Sequence, residues 1–186
     1  VKYHQTSIPL SLNEIESLMS QFKNDNNDGG IGSGNLSEKE LYKIRRSKVL
    51  IFNEFEFSAL HEKIKDFMLE VAENIFGEFN IFELTLQVTE YDHSYKGFYD
   101  WHRDVESHQD GTSKGNRILS FSVLLNDSKE YEGGEFEIRD IELKNFTKQK
   151  DMIMFYSNLE HRVSPVTEGT RYSLVGWLSG VRQNNE

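Results

Sequence analysis

"IFELTLQVTEY", residues 81–91, is where the chain changes character. Before it, apolar residues recur at helical intervals; from it onward they alternate with polar residues or run in short blocks. Successive side chains leave a strand on opposite sides, so alternation marks a strand with one buried face. The same character returns in "RILSFSVLLND" (117–127), "GGEFEIRDIEL" (133–143), "DMIMFYS" (151–157) and "RYSLVGWLSG" (171–180). Short strands separated by turn signals predict a sandwich or barrel.

Upstream the period is helical. In "SLNEIESLMSQFK" (11–23), Ser11 and Glu14 have the spacing of a capping box, and Leu12, Ile15, Leu18, Met19 and Phe22 form one stripe. Residues 58–76 predict a longer helix with Leu60, Ile64, Phe67, Met68, Val71, Ala72, Ile75 and Phe76 on one face and Gly77 placed to end it. "KVLIFN" (48–53) reads as a strand between them. "NDNNDGGIGSGN" (24–35) is too polar and glycine-rich to pack, so a flexible loop is expected there. Its glycines make no phosphate loop, because the Gly-Lys-Ser/Thr ending is missing. The expected architecture is mostly β with flanking helices (α+β). It forms one domain, with helical support over about 1–80 and a β core over about 81–182.

Composition narrows the function. A chain of 186 residues suits one domain with one sizeable core. Lys and Arg number 21 against 31 Asp and Glu, a formal net charge of −10, which argues against a nucleic-acid partner. The sequence holds no cysteine, which excludes disulfides, thiolate nucleophiles, iron–sulfur clusters and cysteine-based zinc sites. That absence fits a reducing compartment. No apolar run approaches the roughly 20 residues needed to span a bilayer, and "VKYHQTSIPLSL" at the start shows no secretory segment. A cytoplasmic chain without a membrane partner is expected.

Two stretches carry chemistry. "FYDWHRD" (98–104) puts His102 and Asp104 two apart, so a strand would project both from one face with Arg103 turned away. An imidazole and a carboxylate on one face are two ligands for a borderline divalent metal. A third ligand would complete a two-histidine, one-carboxylate facial triad with positions left open, an arrangement that suits non-haem Fe(II) and oxygen chemistry. His161 follows the strand "MIMFYS" and is the natural third ligand. In "RYSLVGW", Arg171 shares a face with Ser173, Val175 and Trp177. An interior arginine is costly unless paired, and its planar fork pairs best with a carboxylate, such as that of an oxoacid held at a metal.

Here the sequence resembles the Fe(II)/2-oxoglutarate-dependent dioxygenases, specifically their prolyl 4-hydroxylase-like group. The resemblance lies in "QVTEY" (87–91), "GFYDWHRD" (97–104), "RILSFSVLLND" (117–127), "YEGGEFEI" (131–138) and "HRVSPVTEGTRYSLVGW" (161–177), in family order and spacing. It covers roughly the C-terminal half; the N-terminal half resembles the family only as helices that buttress the core. The resemblance implies a double-stranded β-helix, a jelly roll. It implies that His102, Asp104 and His161 hold Fe(2+) and that Arg171 binds the distal carboxylate of 2-oxoglutarate. It places Tyr91 and Tyr99 near co-substrate and metal, and Ser173 within reach of the same carboxylate. It also implies O2 as the second co-substrate, ascorbate as reductant, and a peptide or protein proline as substrate, with succinate and CO2 as by-products.

One departure stands out. Several prolyl hydroxylases carry a tyrosine on the strand corresponding to "FSVLLN" that contacts 2-oxoglutarate, and here that strand offers Val123 and Leu124. Tyr91 or Tyr99 is therefore the expected source of that polar contact. Arg117 and Trp101 are candidates for substrate or lid contacts, with a structural role as the alternative for Arg117. Gly133 and Gly134 read as a turn or bulge. The polar segment 105–116, which includes His108, is placed to close over the site. Two competing readings stand beside this one: the same chemistry on a small molecule or another side chain, and a jelly-roll binding module without turnover. A zinc hydrolase is weaker, because it gives Arg171 no task.

Overall fold

The computed structural model describes residues 1–29, 37–52, 58–105 and 117–182. Helix α1 (Leu12–Asp25) starts at the predicted cap: Ser11 Oγ accepts from the Glu14 N–H at 3.2 Å, and Glu14 Oε2 accepts from the Ser11 N–H at 2.7 Å. Two donors that a helix start leaves orphaned are thereby satisfied. A second capping box, Ser37 with Glu40, starts the short α2 (Glu38–Ile44). Helix α3 (Ser58–Phe76) has the predicted bounds, and Gly77 follows it at φ 104°, a left-handed conformation that glycine adopts without strain.

The strands of the first half are β1 (Tyr3–Ser7), β2 (Asn27–Asp28), β3 (Arg45–Arg46), β4 (Lys48–Phe52) and β5 (Phe79–Asp92). Those of the second are β6 (Phe98–His102), β7 (Arg117–Leu124), β8 (Tyr131–Gly133), β9 (Phe136–Ile138), β10 (Asp151–Tyr156), β11 (His161–Val163) and β12 (Val166–Arg182). They form a large antiparallel sheet in the order β1-β10-β7-β12-β5-β4-β2, with β8 hooked onto β12, and a smaller sheet in the order β3-β6-β11-β9. Two facing sheets with these crossovers are the expected jelly roll.

The strand period sorts the side chains. On β12 and β5, Leu174, Leu178, Leu84, Leu86 and Val88 join the core that α1 and α3 cover. Ile15, Leu18 and Phe22 of α1 and Ile64, Met68, Ala72 and Phe76 of α3 are buried there. The opposite face of the large sheet looks toward the small one. Across it the register sets Arg171 opposite Tyr91, Ser173 opposite Thr89 and Val175 opposite Gln87.

Two expectations are corrected. The stretch 24–35 is not a loop throughout. Asn24 and Asp25 complete α1, Asn27 and Asp28 pair with Val49 and Lys48 as β2, and the Gly29 N–H donates to Ser47 O at 2.7 Å. An open sheet edge offers backbone hydrogen bonds that need no apolar side chains, so a polar segment can pair there. Residues 30–35 of that stretch lie outside the described residues, as do 106–116 of the segment expected to close over the site. The first eighty residues are also more than helical support: β1 to β4 join the two sheets, and β5 already begins at Phe79.

Candidate active site

A cavity of about 340 Å³ lies between the sheets. Into it the fold brings His102 from β6, Asp104 from just beyond that strand, and His161 from β11. His102 and His161 are register partners on neighbouring strands, and Asp104 is held by its own N–H, which donates to Ser157 O at 2.9 Å. Asp104 Oδ1 lies 3.6 Å from His102 Nε2, and Oδ2 lies 3.4 Å from His161 Nε2. One ligand atom from each residue falls within a 4.8 Å cluster, a size that one metal ion can fill.

Both imidazoles are oriented for this. Nδ1 of His102 lies 2.7 Å from Asp100 O, and Nδ1 of His161 lies 2.9 Å from Leu159 O. A carbonyl can only accept, so each Nδ1 carries a proton and each Nε2 turns a lone pair toward the cluster. Burial lowers the pKa of His102, with Asp104 offsetting part of the shift, so a neutral ligand is favoured. Burial pushes the Asp104 carboxyl up, but the charge and N–H that His161 and His102 present when protonated outweigh it and hold it well below the ordinary range, and a metal ion would take the place of those protons.

The site departs from simple alternation in one place. Val163 pairs with Tyr99 but His161 pairs with His102, so β6 spends three steps where β11 spends two. This bulge turns both Tyr99 and His102 inward, although they are three residues apart. Their rings stack with centroids 3.5 Å apart and planes 10° from parallel. Trp101 faces the other way. It is gripped between Arg139 and Arg162, at 4.4 and 4.7 Å from the ring centroid, and does not line the cavity. Trp101, expected as a substrate or lid contact, thus lies on the outer face of the small sheet rather than in the cavity wall.

At the other end of the cavity sits Arg171, 1% exposed. Its Nη1 donates to Ser173 Oγ at 3.0 Å, whereas Nε and Nη2 are buried without a partner. Two orphaned donors on a buried cation suit an incoming carboxylate, which accepts from both at once. Tyr91 lies beside the guanidinium, whose carbon is 5.7 Å from the ring centroid. Burial raises the pKa of Tyr91 and pushes that of Tyr99 up to about 12, with nearby arginines offsetting part in each case. Both phenols therefore remain hydrogen-bond donors at neutral pH. Arg117 lines the cavity and lies over the Trp177 ring at 4.1 Å.

Among the cavity residues that the sequence did not single out are Arg45 and Ser122. Arg45 is buried over the Tyr99 ring at 4.6 Å, and its Nε donates to Ser47 Oγ at 2.7 Å. The alternation Arg45, Ser47, Val49 was the available signal. On β7 the expectation of only Val123 and Leu124 overlooked Ser122, which lines the cavity while Val123 joins the helix-covered core.

The family model described as the 2OG-Fe(II) oxygenase superfamily, where 2OG is 2-oxoglutarate, matches residues 86–179, half of the chain. The chain belongs to this superfamily. The matched oxygenase span runs from β5 to β12 and contains the triad and Arg171. Curated relatives include a PKHD-type hydroxylase of Prochlorococcus marinus, 42% identical over 76 residues, which cover 40% of this chain and 34% of that protein. Another, from Idiomarina loihiensis, is 35% identical over 92 residues, covering 47% and 40%. The chain thus spans between about a third and two fifths of the length of these relatives.

Solved oxygenase structures share the fold over nearly the whole chain. A Pseudomonas putida prolyl-4-hydroxylase superposes with a TM-score of 0.70 at 17% identity, over 98% of this chain and 94% of that one. The viral collagen prolyl hydroxylase of Paramecium Bursaria Chlorella virus-1, solved as a 2OG complex, gives 0.70 at 21% identity, over 97% of both. A Trichoplax adhaerens prolyl hydroxylase in complex with a hypoxia inducible factor peptide fragment gives 0.73 at 16% identity, over 96% and 83%. These likenesses establish the jelly roll. Among the described residues no helix is long and apolar enough to cross a membrane.

Proposed function

We propose that this chain is an Fe(II)- and 2-oxoglutarate-dependent hydroxylase of the prolyl 4-hydroxylase type, acting on a proline in a peptide or protein, with ascorbate as reductant. The observation that carries this reading is the pairing, in one cavity, of a two-histidine, one-aspartate cluster with a buried arginine that has two unpartnered donors. His102, Asp104 and His161 would hold the iron, and Arg171 with Ser173 would take the distal carboxylate of 2-oxoglutarate. Bound iron and 2-oxoglutarate would supply the oxidising chemistry with dioxygen as the oxidant, one oxygen atom ending in the succinate left when the oxoacid loses CO2 and the other in the hydroxyl group formed at a substrate C–H bond. The backbone carbonyls of Asp100 and Leu159 fix the ligand imidazoles, the Tyr99 ring holds His102 in plane, and Tyr91 offers a phenol beside Arg171. Phe136, Phe155 and Val163 give the same cavity apolar walls.

The Trichoplax prolyl hydroxylase, solved in complex with a peptide fragment, supports a peptide substrate. The test is an anaerobic titration of metal-free protein with Fe(II) and then 2-oxoglutarate, read by visible absorbance. A weak charge-transfer band that needs both additions and is absent in His161→Ala supports chelation at the triad. No band and no retained iron would leave the fold without the chemistry, as in a binding module. A proline-peptide screen read by the mass gain of one oxygen follows. Uncoupled succinate formation with no peptide modified would point to a small-molecule substrate.

A further inference from the structure

Arg171 forms a wall common to two cavities. Besides the one that holds the triad, a second cavity of about 400 Å³ reaches Arg171 from the far side, between β8 and β9, where Tyr131, Gly134 and Phe136 line it. Tyr131 opposes Gly169 on β12, two residues before Arg171, and its ring packs with Tyr91, Val163 and Val166. Gly134, at φ 65°, marks how closely these groups converge: a Cβ there would lie 3.1 Å from Arg171 Cδ, 3.4 Å from Tyr131 Cε2 and 2.9 Å from Val166 Cγ2. The missing side chain is thus the gap through which the arginine stem passes beside the tyrosine ring. Tyr131 does not line the triad cavity, so it meets Arg171 from behind. Burial raises the Tyr131 pKa, and the charge of Arg171 and its hydrogen-bonding reach offset part of that, which places the phenol in the field of the guanidinium.

We infer that Tyr131 is a positioning residue for Arg171, its phenol backing the guanidinium so that the free donors of the fork face a carboxylate arriving from the triad cavity. The inference rests on the reading of Arg171 as the carboxylate partner of 2-oxoglutarate. Ser173 fixes only Nη1, and a fork held at one corner can still swing about its stem. A second contact from behind removes that freedom before the ligand binds, which is where preorganisation gains affinity. Tyr131 need not touch the ligand to do this.

The experiment compares wild type, Tyr131→Phe and Arg171→Ala by calorimetric titration of 2-oxoglutarate into the anaerobic Fe(II)-loaded protein, by Fe(II) affinity, and by the KM for 2-oxoglutarate against kcat. Tyr131→Phe keeps the ring and its packing. The expected result is about tenfold weaker 2-oxoglutarate binding with a matching rise in KM, unchanged Fe(II) affinity and a far smaller fall in kcat. Wild-type 2-oxoglutarate affinity in Tyr131→Phe, with Arg171→Ala impaired, overturns the inference and leaves the proposed function standing. A Tyr131→Phe protein that loses Fe(II) affinity and kcat together with 2-oxoglutarate affinity also overturns it, because a merely structural role does that. Absence of 2-oxoglutarate binding in wild type overturns both.

Discussion

Tyr99 stacks on His102, ring on ring at 3.5 Å, from a position three residues earlier on the same strand. Regular strand geometry sends residues three apart to opposite faces, so the contact exists only because β6 is bulged against β11. The bulge also sends Trp101 outward and leaves the His102 imidazole held by a ring on one side and by a carbonyl at Nδ1. Tyr99→Ala is expected to weaken Fe(II) binding by about tenfold, the usual scale for losing a residue that orients a ligand. Tyr99→Phe should retain it. Competition with a colorimetric Fe(II) chelator distinguishes the two, and equal affinity in Tyr99→Ala would show that the stack does not orient the ligand.

The triad makes a sharper prediction. Asp104→Ala or His161→Ala removes one of three ligands and leaves the two remaining groups too few to retain the ion. Succinate release from 2-oxoglutarate should fall to background in both variants. Circular dichroism should show the strand signal unchanged, because each side chain projects into the cavity.

Arg171→Ala should act on the co-substrate rather than on the metal. A carboxylate entering the cavity without its cation is left buried and unpaired, and losing such a partner weakens binding by about 100-fold or more. Fe(II) affinity should stay within about twofold of wild type. Calorimetry with 2-oxoglutarate is the check, and unchanged affinity would mean that the co-substrate lies elsewhere.

A pH prediction comes from the outer layer. Lys63 Nζ lies 2.8 Å from both carboxylate oxygens of Glu14, and with the Ser11 N–H it lowers the Glu14 pKa from 4.5 to about 2, against a small upward push from burial. The folded value is below the unfolded one. The stabilisation is therefore present above about pH 4.5 and is lost as pH falls toward 2. Allowing for solvent screening at this partly exposed pair, it contributes about 1 kcal/mol. Glu14→Gln keeps an acceptor for the cap but loses the charge. In urea titrations it should be less stable than wild type by that amount at neutral pH, and the gap should close as pH falls from about 4.5 to about 2.

The helices, most long strands and the triad with Arg171 were legible without coordinates. Ser11 and Glu14 define a local cap, the stripe from Leu60 to Phe76 has a period that only a helix satisfies, and the alternation after residue 81 has a period that only a strand satisfies. These signals act within a few residues, so the chain carries them wherever it folds. Helix α2 was legible too, in the Ser37 and Glu40 box, and went unread. What remained depended on partners distant in sequence. A two-residue strand such as Asn27–Asp28 exists only where β4 offers an edge, and Arg45 is buried only because Tyr99 and Ser47 close around it. The inward turn of both Tyr99 and His102 is a property of two strands in register, not of either strand. The arrival of Tyr131 behind Arg171 requires β8 to hook onto β12. The sequence by itself determined the longer elements and the candidate ligand types, because those follow from periods and residue chemistry along the chain. Only tertiary structure decided which faces meet, because register and packing are settled between segments that the sequence keeps far apart.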